Sequence, residues 1–91
     1  MEVIADKSFQ RDFVKLPDEV KVKITQLYDV LSDLTLQEVL SLPQVEFITS
    51  AKNFYRYRIE DYRLGFYITH HKLHLSRALH QKDMYRYFPP R

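Results

Sequence analysis

The feature that most constrains this chain is a change of hydrophobic period near residue 45. Upstream, Val20, Ile24, Leu27, Leu31 and Leu34 recur at spacings of four, three, four and three, the stripe of an amphipathic helix. Downstream, residues 54–60, 62–69 and 73–80 alternate apolar and polar side chains and are rich in Tyr, Ile, Phe and Leu, as half-buried strands are. Separation of the two periods along the chain predicts an α+β fold, with helices of the first half covering one face of a sheet built by the second.

Local signals fill in the elements. Val3 to Ala5 reads as a short opening strand, and Asp6 or Ser8 can cap a first helix carrying Phe9, Phe13 and Leu16. Pro17 suits the first turn of the next helix, where Asp18 and Glu19 complement the macrodipole. Thr35-Leu36-Gln37-Glu38 matches a capping box for a brief third helix that Pro43 stops. Val45 to Thr49 forms a short strand, and the three alternating stretches then follow as an antiparallel meander. The expected architecture is a helical hairpin at the N-terminal end packed on a small antiparallel meander sheet, one domain spanning residues 1–91. Gly65, the only glycine, falls inside a strand and marks a bend or a close approach.

With no cysteine there is no disulfide framework and no thiolate metal site. The charged start, Met1-Glu2-Val3-Ile4-Ala5-Asp6, lacks the apolar run of a signal peptide, and no stretch approaches the roughly 20 apolar residues of a membrane span. A soluble cytoplasmic protein without a membrane partner is the expectation.

The net charge of +2 conceals an asymmetry: residues 1–51 hold five Lys/Arg against nine Asp/Glu, whereas residues 52–91 hold nine against three. Six of the seven tyrosines lie in that basic half, interleaved with arginines. Cations that hold phosphate beside rings that stack on bases point to RNA. A tyrosine-rich sheet with a merely solvated cationic face fits the same composition.

Alternation turns Tyr55, Tyr57, Ile59, Leu64, Phe66, Ile68, Leu73, Leu75 and Leu79 toward the helices. The opposite face collects Arg56, Arg58, Arg63, Gly65, Tyr67, Ser76 and His80. A two-residue turn at Glu60-Asp61 sets Arg58 opposite Arg63, and an unbroken register beyond the next turn sets Arg63 opposite His80. Opposed like charges destabilise a sheet, and such local conflicts gather at functional sites. A bound anion would relieve the conflict; so would pairing of the arginines with Asp61, Glu60 or Asp83. Two guanidiniums can grip a phosphodiester and stabilise the charge that grows as the ribose 2′-OH attacks, while a histidine moves a proton, which is a metal-free route of RNA cleavage.

Residues 55–64, Tyr-Arg-Tyr-Arg-Ile-Glu-Asp-Tyr-Arg-Leu, and residues 79–85, Leu-His-Gln-Lys-Asp-Met-Tyr, together resemble the signature of the RelE/ParE toxins, and the element order resembles theirs over nearly the whole chain. The resemblance implies a RelE-like domain, the toxin of a toxin–antitoxin pair, acting as an endoribonuclease on mRNA in the ribosomal decoding site without cofactor or metal. It implies Arg56 and Arg58 as cations holding the RNA backbone, Arg63 as the main phosphate-stabilising residue, His80 as a proton-transfer group and Tyr85 as a base-stacking or orienting residue. Glu46 matches the general base of some relatives if a gap is admitted, and Lys52 and Lys82 are supplementary RNA-binding cations. The chain departs from the pattern at Gln81, where many relatives carry arginine, and at Glu60, where the turn usually has glycine. The implied partners are a cognate antitoxin and ribosome-bound mRNA. The rival within the resemblance is a ParE-like inhibitor of DNA gyrase with no nuclease activity.

His70, His71, His74 and His80 suggest no shared metal, because two fall at a turn and the others lie far apart along a strand. The tail from Lys82 to Arg91 offers Tyr85, Tyr87 and Phe88 as anchors, while Pro89-Pro90 forbids continued helix; it is expected to order with a partner.

Overall fold

The computed structural model describes residues 1–90; Arg91, the last residue of the expected tail, lies outside the described residues. The elements run β1 (Glu2–Ala5), α1 (Lys7–Phe13), α2 (Asp18–Asp33), α3 (Leu36–Leu40), β2 (Val45–Phe47), β3 (Phe54–Ile59), β4 (Tyr62–Thr69), β5 (Lys72–His80) and α4 (Gln81–Tyr87). The strands form one five-stranded sheet in the order β1-β5-β4-β3-β2.

From β2 to β5 the sheet is the antiparallel meander that the alternation predicts. β1 departs from it. It pairs parallel with β5, Val3 opposite Leu73 and Ala5 opposite Leu75, so the sheet is mixed and the helices follow the first strand instead of opening the chain. A parallel neighbour requires a long connection, and α1 to α3 followed by β2 to β4 make it. The Met1 ammonium donates to the carbonyls of Ser32 and Leu34 at 3.0 and 2.8 Å, placing a cation on the negative end of α2.

The helices behave much as their sequence signals require. α2 begins after Pro17 with Asp18 and Glu19 in its first turn, and Val20, Ile24, Leu27 and Leu31 are its buried positions. They meet Leu64, Phe66, Leu73 and Leu75 of the sheet in one continuous core. Each such side chain withdrawn from water stabilises the fold by about 1.5–3 kcal/mol before entropy is counted. The capping box is present in both halves, Glu38 N–H to Thr35 Oγ1 and Thr35 N–H to Glu38 Oε1. Those bonds hold the Glu38 carboxyl below its usual value. Asp6 occupies the N-cap position of α1 without capping it; its carboxylate accepts from the Tyr67 hydroxyl instead.

β5 carries the main surprise. Gly65 pairs with Arg77 and Phe66 with Leu75, so Ser76 is an extra residue, a β-bulge. The bulge reverses the facing of everything after it: Ala78, not Leu79, enters the core at 3% exposure. Arg63 stands opposite Leu79, and His80 stands opposite Tyr62, which corrects the expected row across the sheet. Beyond the end of β1, α1 covers the open edge of β5. Ser8 Oγ donates to the Ser76 carbonyl at 2.6 Å, and the Asp12 carboxylate accepts from Ala78 N–H at 3.0 Å and from Arg77 Nε at 2.7 Å.

The tail is folded onto the outer face as α4, with Met84 and Phe88 buried. Gly65 is the seat for Phe88: a Cβ there would stand 2.8 Å from the Phe88 ring. The close approach read from the sequence is therefore made by the chain itself. No helix is long and apolar enough to cross a membrane among the described residues.

Candidate RNA-cutting face

The two-residue turn at Glu60-Asp61 pairs Ile59 with Tyr62 and sets Arg58 directly opposite Arg63, as counted from the sequence. The anion that relieves this opposition belongs to the protein. On the edge strand β2, Glu46 pairs with Arg56, which brings its carboxylate among the arginines. Glu46 Oε1 lies 3.5 Å from Arg56 Nε and 3.6 Å from Arg63 Nε, and Oε2 lies 3.9 Å from Arg58 Nη1. Glu46 is thus the hub of the cluster.

The arginines are not equivalent. Arg58 is the open one, its side chain 52% exposed, while that of Arg63 is only 9% exposed. Arg63 Nη1 donates to the carbonyls of Glu60 and Tyr62 at 2.8 and 2.9 Å, and Nη2 donates to Gln81 Oε1 at 3.3 Å. Its Nε, the Nε of Arg56 and Oε1 of Glu46 are buried and complete no hydrogen bond among the described residues. Buried polar groups are almost always hydrogen-bonded, whereas these three face one another at ion-pair distance, so their charges offset while their hydrogen-bonding capacity stays unspent.

Tyr85 joins this cluster from α4: the Arg56 guanidinium lies 4.6 Å from the centre of its ring, which stays 59% exposed. Beside them opens a cleft of about 470 Å³ lined by Ile48 to Ala51, Arg56, Tyr85 and Phe88 to Pro90. Lys52 and Lys82 are exposed and form no ion pair among the described residues.

His80 is the expected site residue that geometry separates from the rest. Its Nδ1 accepts from Lys82 N–H at 3.2 Å as the N-cap of α4, and its ring meets Tyr62 edge-on at 5.4 Å. It borders a small hollow with Asp12, Lys15 and Asp83 on the other side of the strand from Arg63. Gln81 is the site residue whose part the sequence did not reveal.

A second polar cluster occupies the far end of the same face. Tyr67 donates to Asp6 Oδ2 at 2.9 Å and stacks on His74 at 4.5 Å, and His74 Nδ1 lies 3.6 Å from Asp6 Oδ1. Burial, then the bond to Asp6, pushes the Tyr67 hydroxyl above its ordinary value. His74 is engaged there, and His70 and His71 form the next turn, so no three His, Asp or Glu side chains converge on a metal position among the described residues.

Comparison with known proteins bears on the chain as a whole. No family model matches the chain. Its sequence is 28% identical over 89 residues to toxin RelE3 of Methanocaldococcus jannaschii, covering 98% of this chain and all of that protein. Its fold superposes on a chain of the RelB–RelE antitoxin–toxin complex from Methanococcus jannaschii with a TM-score of 0.79 and 25% identity, over 94% of this chain and 99% of the other. The chain is RelE-like in sequence and fold over nearly its whole length. The fold is shared more widely: the toxin–antitoxin complex RelBE2 of Mycobacterium tuberculosis matches with a TM-score of 0.64 at 18% identity, over 87% of this chain. RelE-like proteins so remote in sequence keep one scaffold, and the chemistry of this RelE-like chain must be argued from its own side chains.

Proposed function

We propose that this chain is the toxin of a toxin–antitoxin pair and cuts mRNA on the ribosome, with Glu46, Arg56, Arg58, Arg63 and Tyr85 as its working face. The observation that carries the reading is the carboxylate of Glu46 held within 3.5 to 3.9 Å of three guanidiniums, with Arg63 buried and anchored by main-chain carbonyls. A metal-free cleavage needs a base beside a fixed cationic cradle. Glu46 accepts the proton of the 2′-OH, and the oxygen attacks the adjacent phosphorus. Arg63 and Arg56 hold the non-bridging oxygens as negative charge grows on them. The products are a 2′,3′-cyclic phosphate and a 5′-hydroxyl that takes its proton from solvent. Arg58, the open cation, draws the strand in, and Tyr85 stacks on a base. Lys52 and Lys82 add to the attraction. An antitoxin is the partner that the complexed relatives suggest, and the exposed Arg58 and Tyr85 of the outer face are what it would cover.

His80 has no place in this arrangement, because the bulge at Ser76 turns it away. Single-turnover cleavage of mRNA on programmed ribosomes tests the assignment. Arg63→Ala and Glu46→Gln each lower the rate by roughly 10²–10³, whereas His80→Ala stays within a few-fold of the parent. Parental cutting by a well-folded Arg63→Ala chain overturns the nuclease reading, and DNA supercoiling by gyrase in the presence of the chain then tests the rival.

A further inference from the structure

We propose that Gln81 is a positioning residue for Arg63, aligning its guanidinium for the phosphate without neutralising it; this rests on the RNA-cutting reading above. Arg63 is tied on one side only by the main chain, through Nη1 to the carbonyls of Glu60 and Tyr62. Those two bonds leave the plane of the guanidinium free to swing about Nη1. The bond from Nη2 to Gln81 Oε1 removes that freedom. The residue that supplies the acceptor is anchored by its main chain: Gln81 N–H donates to the Asp61 carbonyl at 2.7 Å. The turn that anchors Nη1 and the residue that anchors Nη2 are therefore one connected unit.

What remains is the Nε edge. Nε faces Glu46 and completes no hydrogen bond, which makes it the donor available to an arriving oxyanion. A planar guanidinium recognises phosphate through such a pair of parallel donors, so its orientation matters as much as its charge. The residue type at position 81 follows from this. A carboxylate would hold Nη2 equally well but add a second negative charge to that of Glu46, and an arginine, which many relatives carry here, offers Nη2 no acceptor. A neutral acceptor is the side chain that orients Arg63 and leaves it charged. Tyr85, one helical turn further along α4, bears on Arg56 through the face of its ring instead of a hydrogen bond.

The test compares Gln81→Met, which keeps the length and removes the acceptor, with Gln81→Asn and Gln81→Glu in the full-length chain. Single-turnover cleavage on programmed ribosomes is read beside the ¹⁵N–¹H signal of Arg63 Nε. Gln81→Met should lower the maximal rate about tenfold with KM within about twofold, move the Nε signal and leave the melting temperature unchanged. Gln81→Asn should recover part of the rate, and Gln81→Glu should keep the Nε signal sharp while cutting no faster than Gln81→Met. An unmoved Nε signal with parental cleavage in Gln81→Met overturns the proposal, as does full activity in Gln81→Glu. If the Nε signal responds but the parental chain cuts no RNA, the positioning contact stands and the nuclease reading is what fails.

Discussion

On the face of the sheet that meets α2, Leu64, Phe66, Leu73 and Leu75 have almost no exposed area, and contact alone satisfies them. On the opposite face of the same sheet, Arg56, Arg63 and Glu46 hold buried polar atoms that pair by charge but complete no hydrogen bond among the described residues. The first arrangement lowers the energy of the folded chain. The second withholds part of the stabilisation that the same atoms could give if fully bonded, which is how a protein keeps interaction energy in reserve for a ligand. One sheet carries both because the period of a strand separates its side chains into two independent sets.

Four substitutions bear on that contrast. The largest effect belongs to the inner face: Leu73→Ala opens a cavity at a fully buried position and should cost about 2–5 kcal/mol in urea unfolding, with cleavage by the folded fraction unchanged. Arg63→Ala should cost about 1–2 kcal/mol, since it strands two carbonyls and unbalances Glu46. Bare Arg58–Arg63 repulsion would give the opposite sign, so a melt that rises on Arg63→Ala would break the account of Glu46 as the neutralising hub. On neither face, His71→Gly should stabilise the chain by about 1 kcal/mol, because His71 holds φ at 64°. No gain in a thermal melt would show that the turn is not strained. The smallest effect is a pH dependence at the far end of the outer face. The Tyr67 hydroxyl is raised in the folded chain, so its share of stability is present below the unfolded value and is lost as pH climbs through the folded one. Tyr67→Phe should flatten the fall in stability above about pH 10. Equal alkaline slopes for parent and variant would separate Tyr67 from that loss.

The sequence was most legible where counting suffices. Arg58 opposite Arg63 follows from a two-residue turn, and the capping box at Thr35 and Glu38 follows from spacing. Counting failed at Ser76, where one extra residue in β5 moved His80 to the other side, and the only hint was the step of three from Leu75 to Ala78. The partner of β1 was hidden because parallel pairing leaves no hairpin to count. The tail was expected to order only with a partner because Pro89-Pro90 forbids continued helix, although Met84 and Phe88, four apart, are the sign of a helix with a buried side. Glu46 was recognised as a candidate but not as the hub, since the six residues between β2 and β3 set no register that arithmetic can recover.

The parallel pairing of β1 with β5 has a consequence in time. Glu2 through Ala5 are made some seventy residues ahead of their neighbours, Lys72 through Leu75. During synthesis the opening strand has nothing to pair with until most of the polypeptide has left the exit tunnel, and Gln81, which steadies Arg63, follows later still. Until Gln81 is made, the Arg63 guanidinium lacks the acceptor of its Nη2, so the face around Arg63 is completed late in synthesis.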